Sequence, residues 1–183
     1  MLTVAERHFI PNNFTVTTWD TLEPYLEQLE NRELSSLKAL EQWLRDWSEL
    51  EAIVAEDACW RQINMTRDTT DPLLEEAFNY YCLEIEPNIK PYTNPLQQNL
   101  IRHPFREQLD PASYYPFLRN IENALQLYRE ANIPLQAELN VLAQQYGVIA
   151  CNMMITVEAK EYTLQQAMKF LEQPHRRLRR GGF

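Results

Sequence analysis

Three glycines in 183 residues set the first bound on this chain. Gly147, Gly181 and Gly182 are too few and too scattered to build a phosphate-cradling loop, which needs several residues without a Cβ close together. That argues against a doubly wound nucleotide-binding fold. Hydrophobic residues make up 45% of the chain, enough for a real core in one domain or two small ones. A net charge of −9 repels phosphate backbones, so no nucleic-acid partner is expected. Cys59, Cys82 and Cys151 are odd in number and far apart, with no Cys-x-x-Cys pair. They read as reduced core thiols rather than a disulfide framework. The N-terminal MLTVAERHF has no apolar signal core, and no stretch nears 18 uninterrupted apolar residues. The expectation is a cytoplasmic protein with no membrane partner.

The apolar spacing is that of helices. Residues 1–17 form an extended lead-in, with Pro11 and Asn12-Asn13 as turn formers. A short helix is predicted from about Asp20 to Asn31, with Asp20 and Glu23 at capping-box spacing. Ser35 or Ser36 then caps a long helix to about Met65, whose stripe of Leu37, Leu40, Leu44, Trp47, Val54 and Ala58 is widened by Trp43, Leu50, Ile53 and Trp60. Asp71-Pro72 and Asp110-Pro111 pair a capping carboxylate with a proline whose missing N–H is not needed, so each opens a helix. Pro87, Pro91 and Pro95, four residues apart, fit either extended chain or a bent helix damaged on one face only.

Pro134 restarts a helix with Leu135, Leu139, Leu142 and Tyr146 on one face. The short link before it predicts that this helix runs antiparallel beside the one opened by Pro111. Met154 to Val157 is a short β-branched run that can pair with Glu161-Tyr162 across a turn at Ala159-Lys160. Thr163 and Gln166 form a capping box for a last helix to about Gln173, closed by Pro174. The predicted fold class is therefore mainly α: a multi-helix array with long antiparallel helices and one short β-hairpin near the C-terminus. Residues 1–178 form the helical region and 179–183 a loose tail.

Catalytic chemistry finds no foothold in this sequence. His8, His103 and His175 include no His-x-x-x-His pair, and none is followed by the glutamate that a zinc-peptidase helix places beside its first ligand. Glu172-x-x-His175 has di-metal ligand spacing, but Pro174 interrupts it and the second copy such sites need is missing, so it reads as a helix end. Glu49, Glu51, Glu56, Asp57, Glu75, Glu76, Glu84 and Glu86 read as solvated helix faces. Trp43, Trp47 and Trp60 at helical spacing read as core. The one basic cluster, Arg176-Arg177-Leu178-Arg179-Arg180, reads as a solvated end. No catalytic, cofactor-binding or metal residue is assigned.

Several short motifs nevertheless recur in a recognisable order. They are Arg7-His8-Phe9-Ile10-Pro11, Trp19 ahead of Leu22-Glu23-Pro24-Tyr25, Ser48-Glu49-Leu50-Glu51-Ala52, Trp60-Arg61 and Met65-Thr66-Arg67-Asp68-Thr69-Thr70-Asp71. Glu84-Ile85-Glu86-Pro87 and Pro91-Tyr92 come next, then Asn132-Ile133-Pro134-Leu135-Gln136, Gln144-Gln145-Tyr146-Gly147 and Tyr162-Thr163-Leu164-Gln165-Gln166-Ala167. Together they resemble the N-terminal region of the oligoendopeptidase F group of thimet-type zinc metallopeptidases, up to about Leu178. The resemblance implies a helical scaffold forming one side of a deep channel that admits short peptides. It also implies that the zinc ligands and catalytic glutamate of the full-length family lie beyond this region, so no cofactor is expected in this chain. The partner it implies is a missing or separate catalytic region. The alternatives are a free-standing helical module that binds peptides or a protein, and a subunit that complements a separate catalytic chain.

Overall fold

The helices start where side chains can cap them. The computed structural model describes residues 7–157, 159–172 and 174. Helix α1 runs Trp19–Glu30, α2 Leu37–Arg67, α3 Pro72–Tyr80, α4 Glu86–Arg102, α5 Pro111–Leu127, α6 Asn132–Cys151 and α7 Leu164–Leu171. Ser36 Oγ accepts from the Ala39 N–H at 3.2 Å, Asp71 from Leu73 at 3.0 Å and Asp110 from Ala112 at 3.1 Å. The Thr163 hydroxyl accepts from Gln166 at 3.3 Å while Thr163 N–H donates back to the Gln166 side chain at 3.1 Å, the expected capping box. At α1 the expected box is displaced. Thr18 precedes the helix and its N–H donates to the Thr21 hydroxyl at 3.4 Å. Glu23 is thereby left free to accept from the Tyr92 hydroxyl of α4 at 2.9 Å.

The Pro87–Pro95 segment is helix. A π-helical turn, Tyr81–Ile85, joins α3 to α4, so that Pro72 to Arg102 runs as one interrupted rod. Proline lacks the donor for the carbonyl four residues back and its ring presses on that carbonyl. The wider π turn falls just before Pro87 and eases this crowding. Of the carbonyls left without an i+4 donor, those of Leu83 and Pro91 belong to exposed residues, where water can serve. In an isolated helix each interior proline costs about 3 kcal/mol relative to alanine. Burial of Ile85, Leu96 and Leu100 on the opposite side outweighs that cost.

The core lies between α1, α2 and α4. Leu22, Leu26 and Leu29 of α1 meet Leu40, Trp43, Trp47 and Leu50 of α2, with Ile121 of α5 at one side. The buried Trp43 indole donates to the Leu29 carbonyl at 2.9 Å, so a large apolar group enters the core with its one polar atom satisfied. Asp46 is also buried, held by Arg32 and by the Gln42 amide at 2.7 Å. The described part of the expected lead-in, residues 7–17, is neither helix nor strand, turns at Pro11 as expected and is pinned from two sides. Glu49 accepts three backbone N–H groups, from His8 at 2.9 Å, Phe9 at 3.0 Å and Ile10 at 2.8 Å. Arg61 of α2 pairs with Asp57 at 2.7 Å and donates to the carbonyls of Val16 and Ala77, both at 2.9 Å.

Two expectations about the C-terminal third are corrected. The short link after α5 does not seat α6 against that helix: with Tyr128 ending α5 at φ −60, ψ 129, α6 packs against the π turn and α4. The hairpin pairs Met154–Val157 (β1) with Lys160–Thr163 (β2), and Val157 faces Lys160. Lys160, expected in the turn, is therefore a strand residue, and Ala159 is the described residue of the turn. Ala159 bears its strain at φ 65, a left-handed conformation that a residue with a Cβ adopts at a cost. Helix α7 packs on the hairpin. Gln173, at the expected end of the last helix, and the 179–183 tail lie outside the described residues.

Two outcomes are expected from these contacts. Pro91→Ala, at an exposed position already in helical conformation, restores an intrahelical donor and raises stability by about 1 kcal/mol or more, read by urea denaturation. Burial tends to raise the Glu49 carboxyl, but the three N–H donors and nearby His8 outweigh it and hold the group below the usual carboxylate range. Its contribution is thus complete above the unfolded pKa and is lost as pH falls through the lower folded value. Glu49→Gln costs on the order of 1 kcal/mol at neutral pH, and the difference from wild type shrinks in acid. A difference that grows in acid contradicts this assignment.

Candidate functional site

Helix α6 carries one charged residue, Glu138, in the twenty from Asn132 to Cys151. Its inner face is the less apolar one. Ala137 and Gln144 are buried there against the rest of the chain. The Asn140 amide donates to Glu86 at 3.0 Å, and the Gln144 amide donates to Glu75 at 3.3 Å beside the buried Met65. On the opposite side, half a helical turn away, Leu135, Leu139, Leu142, Tyr146 and Ile149 are between 60% and 74% exposed. A helix that is apolar on both sides is ordinarily an interior one. The face expected from the sequence is real, and it points outward.

Between α2, the π turn and α6 lies an open cavity of about 390 Å³. Met65, Tyr81, Cys82, Glu86, Gln144 and Gly147 are among its lining residues. Burial, reinforced by Glu86 and Asp57, raises the Tyr81 phenol well above its ordinary range. Burial and then Glu86 push the Cys82 thiol up to about 11, so it stays protonated at neutral pH and is no nucleophile. Both shifts come first from burial, and the Glu86 carboxylate adds to each. Gly147 is not needed for its own backbone conformation, and a Cβ built there meets nothing within 4 Å.

The residues weighed from the sequence fall into distinct places. Trp43 and Trp47 are core as expected, whereas Trp60 is 56% exposed beside a groove of about 270 Å³ that Phe14 and Ile53 also line. Cys82 is buried, but Cys59 and Cys151 are exposed, which corrects the reading of all three as core thiols. Helical period alone did not separate the two sides of α2 and α6 at those positions. His8 is exposed and contributes its backbone N–H to Glu49. His103 Nδ1 accepts from the Phe105 N–H at 3.3 Å and opens the 3-10 turn Pro104–Gln108. His175 and the Arg176–Arg180 cluster lie outside the described residues.

Of the carboxylates, Glu49, Asp57, Glu75 and Glu86 are tied to internal donors, and Glu56 lies 4.0 Å from Arg7. Among the described residues no group of three or more His, Cys, Asp or Glu side chains converges as a metal centre would require, and no helix is long and apolar enough to cross a membrane. The polar contacts of Gln144 and Asn140 had no separate signal in the sequence. They lie on the face opposite the strongest apolar stripe of α6.

The arrangement of these helices is shared with a solved structure. The fold matches an X-ray structure, at 3.1 Å, of a provisionally assigned oligoendopeptidase F with a TM-score of 0.81 and 22% sequence identity. The match covers 92% of this chain and 30% of that one, so the chain spans under a third of the structure it resembles. No curated protein matches the chain. Gly147→Ala is expected to raise stability by about 1 kcal/mol, because it removes a helix-interior glycine without any clash; a lower melting temperature would show that the cavity closes on this position. The peptidase M3 N-terminal domain matches residues 9–128, about two thirds of the chain, and the chain belongs to that family.

Proposed function

We propose that this chain is the non-catalytic N-terminal helical portion of an oligoendopeptidase F-like zinc metallopeptidase, and that it supplies part of the wall of a peptide channel. The observation that carries the reading is the N-terminal-domain match over residues 9–128, joined to a fold match over 92% of the chain. The exposed apolar side of α6 supports it, because a scaffold that serves a catalytic portion needs a surface for that portion to cover. The described residues do not form a zinc centre, and no catalytic step is assigned to them. Short peptides and a catalytic region, on the same polypeptide or a separate one, are the proposed partners, and the proposed location is the cytoplasm.

A second reading is a free-standing peptide- or protein-binding module. The groove beside the exposed Trp60 favours it, since aromatic side chains at a cleft supply contact area at low entropic cost. One assay separates the readings. Purified chain is given a fluorogenic peptide with added zinc and with chelator, and tryptophan fluorescence is followed in parallel without zinc. No hydrolysis above buffer under either condition, and no saturable fluorescence change, is the outcome expected for a channel wall. Zinc-dependent hydrolysis by the chain alone would sink the proposal, and saturable binding without zinc would favour the module.

A further inference from the structure

We infer that the open cavity between α2, the π turn and α6 is a binding site for a protonated primary amine that carries a compact apolar body. Gln144 points to it. The residue is 6% exposed and lines the cavity, and its side-chain oxygen has no hydrogen-bond partner among the described residues. Glu75 fixes which way the amide faces, because a carboxylate only accepts. The Gln144 N–H donates to it at 3.3 Å, and the reversed amide would set oxygen against oxygen. The orphan is therefore an acceptor. A buried carbonyl that has given up water without gaining a donor is costly, and folded proteins leave few such groups unserved. Closed to bulk water by the chain around it, this oxygen is approached through the cavity that the residue lines.

The rest of the lining selects the head group. Asn140, one turn before Gln144 on the same side of α6, donates to Glu86 at 3.0 Å and so holds a carboxylate in the same lining. Lys90 lies 3.5 Å from the other Glu86 oxygen, but it is outside the lining and 45% exposed, so water screens it. Thr66 has committed its hydroxyl hydrogen to the Gln62 carbonyl at 2.9 Å and offers the cavity only lone pairs. Acceptors on several sides, one of them charged, suit an ammonium and its three N–H groups. Glu86 and the net charge of −9 both disfavour an anion. Met65, Phe78, Ala143 and Val148 supply apolar wall, and about 390 Å³ is room for a phenyl or branched alkyl group with its head. A free arylalkylamine and the amino terminus of a peptide with a large apolar first residue share this chemistry.

Titration calorimetry of the full chain with phenethylamine tests the inference. One saturable site is expected, with a Kd on the order of 1 mM or below, the range open to a ligand of this size. Phenethyl alcohol, its neutral counterpart, is expected to bind about fivefold more weakly or worse. No tryptophan lines the cavity, so calorimetry and not tryptophan fluorescence reads its occupancy. Gln144→Leu removes the acceptor, leaves the exposed Glu75 to water, and weakens the amine about fivefold or more with unchanged helical circular dichroism. Glu86→Gln removes the charge, so that amine and alcohol bind alike, and it decides alone if Gln144→Leu loses helix. Leu139→Ser, on the outward side of α6, leaves affinity unchanged. Phenylalanyl-glycyl-glycine and its N-acetyl form separate the two sources. Binding that acetylation abolishes assigns a peptide amino terminus, and binding of phenethylamine but of neither peptide assigns a free amine. No saturable binding, equal binding of amine and alcohol by the wild type, indifference to either folded variant, or peptide binding that survives acetylation overturns the inference. No arm involves hydrolysis, so failure here leaves the channel-wall reading standing, and failure of that reading leaves this one.

Discussion

Helix α4 carries Pro91 and Pro95 in its interior and Pro87 in its first turn, yet α1, α5 and α6 all pack against it. Three prolines at intervals of four fall along one side of a helix, so the lost donors and the ring crowding are confined there. The other side keeps its register and presents Leu96 and Leu100 to the core. The π turn Tyr81–Ile85 is the adjustment that makes this possible, because it widens the rod where the first proline enters. It also has a consequence for the site. The extra residue of a π turn rotates the helix beyond it, and Tyr81, Cys82 and Glu86 come to line the cavity beneath α6.

Charged groups on α2 tie both this rod and the lead-in to that helix. Arg61 joins three separate pieces of chain: Asp57 on its own helix, the Val16 carbonyl of the lead-in and the Ala77 carbonyl one turn before the π segment. Its guanidinium suits this work because its donors lie in one rigid plane. Glu49 complements it, a single carboxylate that gathers three consecutive N–H groups of a lead-in with no ladder of its own. The carboxylates that looked like solvated helix faces are in several cases the means by which irregular chain is held to regular helix.

That difference shows what a linear reading can recover. Ser36, Asp71, Asp110 and the Thr163–Gln166 box were legible because a cap is a local event, decided within four residues. The displaced start of α1 was not, because Glu23 had a better use 69 residues away, at Tyr92. The proline segment was undecidable for the same reason. Helix propensity argued against it, and the burial that overrode propensity comes from other elements. Trp60 and Trp43 share a periodicity on α2, but nothing local records that the core lies beside one end of that long helix and not the other. The family resemblance was legible from scattered motifs, and the match over residues 9–128 supports it; the polar floor under α6, set by Gln144 and Asn140, was not.

Helix α6 is where local pattern and tertiary packing part company. Periodicity identified its strongest apolar stripe correctly, and the usual inference from such a stripe is that it faces the core. Here the interior of the chain takes the weaker face, where small and amide side chains can meet Glu75 and Glu86 of the proline-bearing rod. The stronger stripe is left exposed, and its apolar surface is sustained by a molecule whose net charge is −9. Net acidic repulsion acts at long range, whereas the nearly uncharged stripe of α6 can act only at contact.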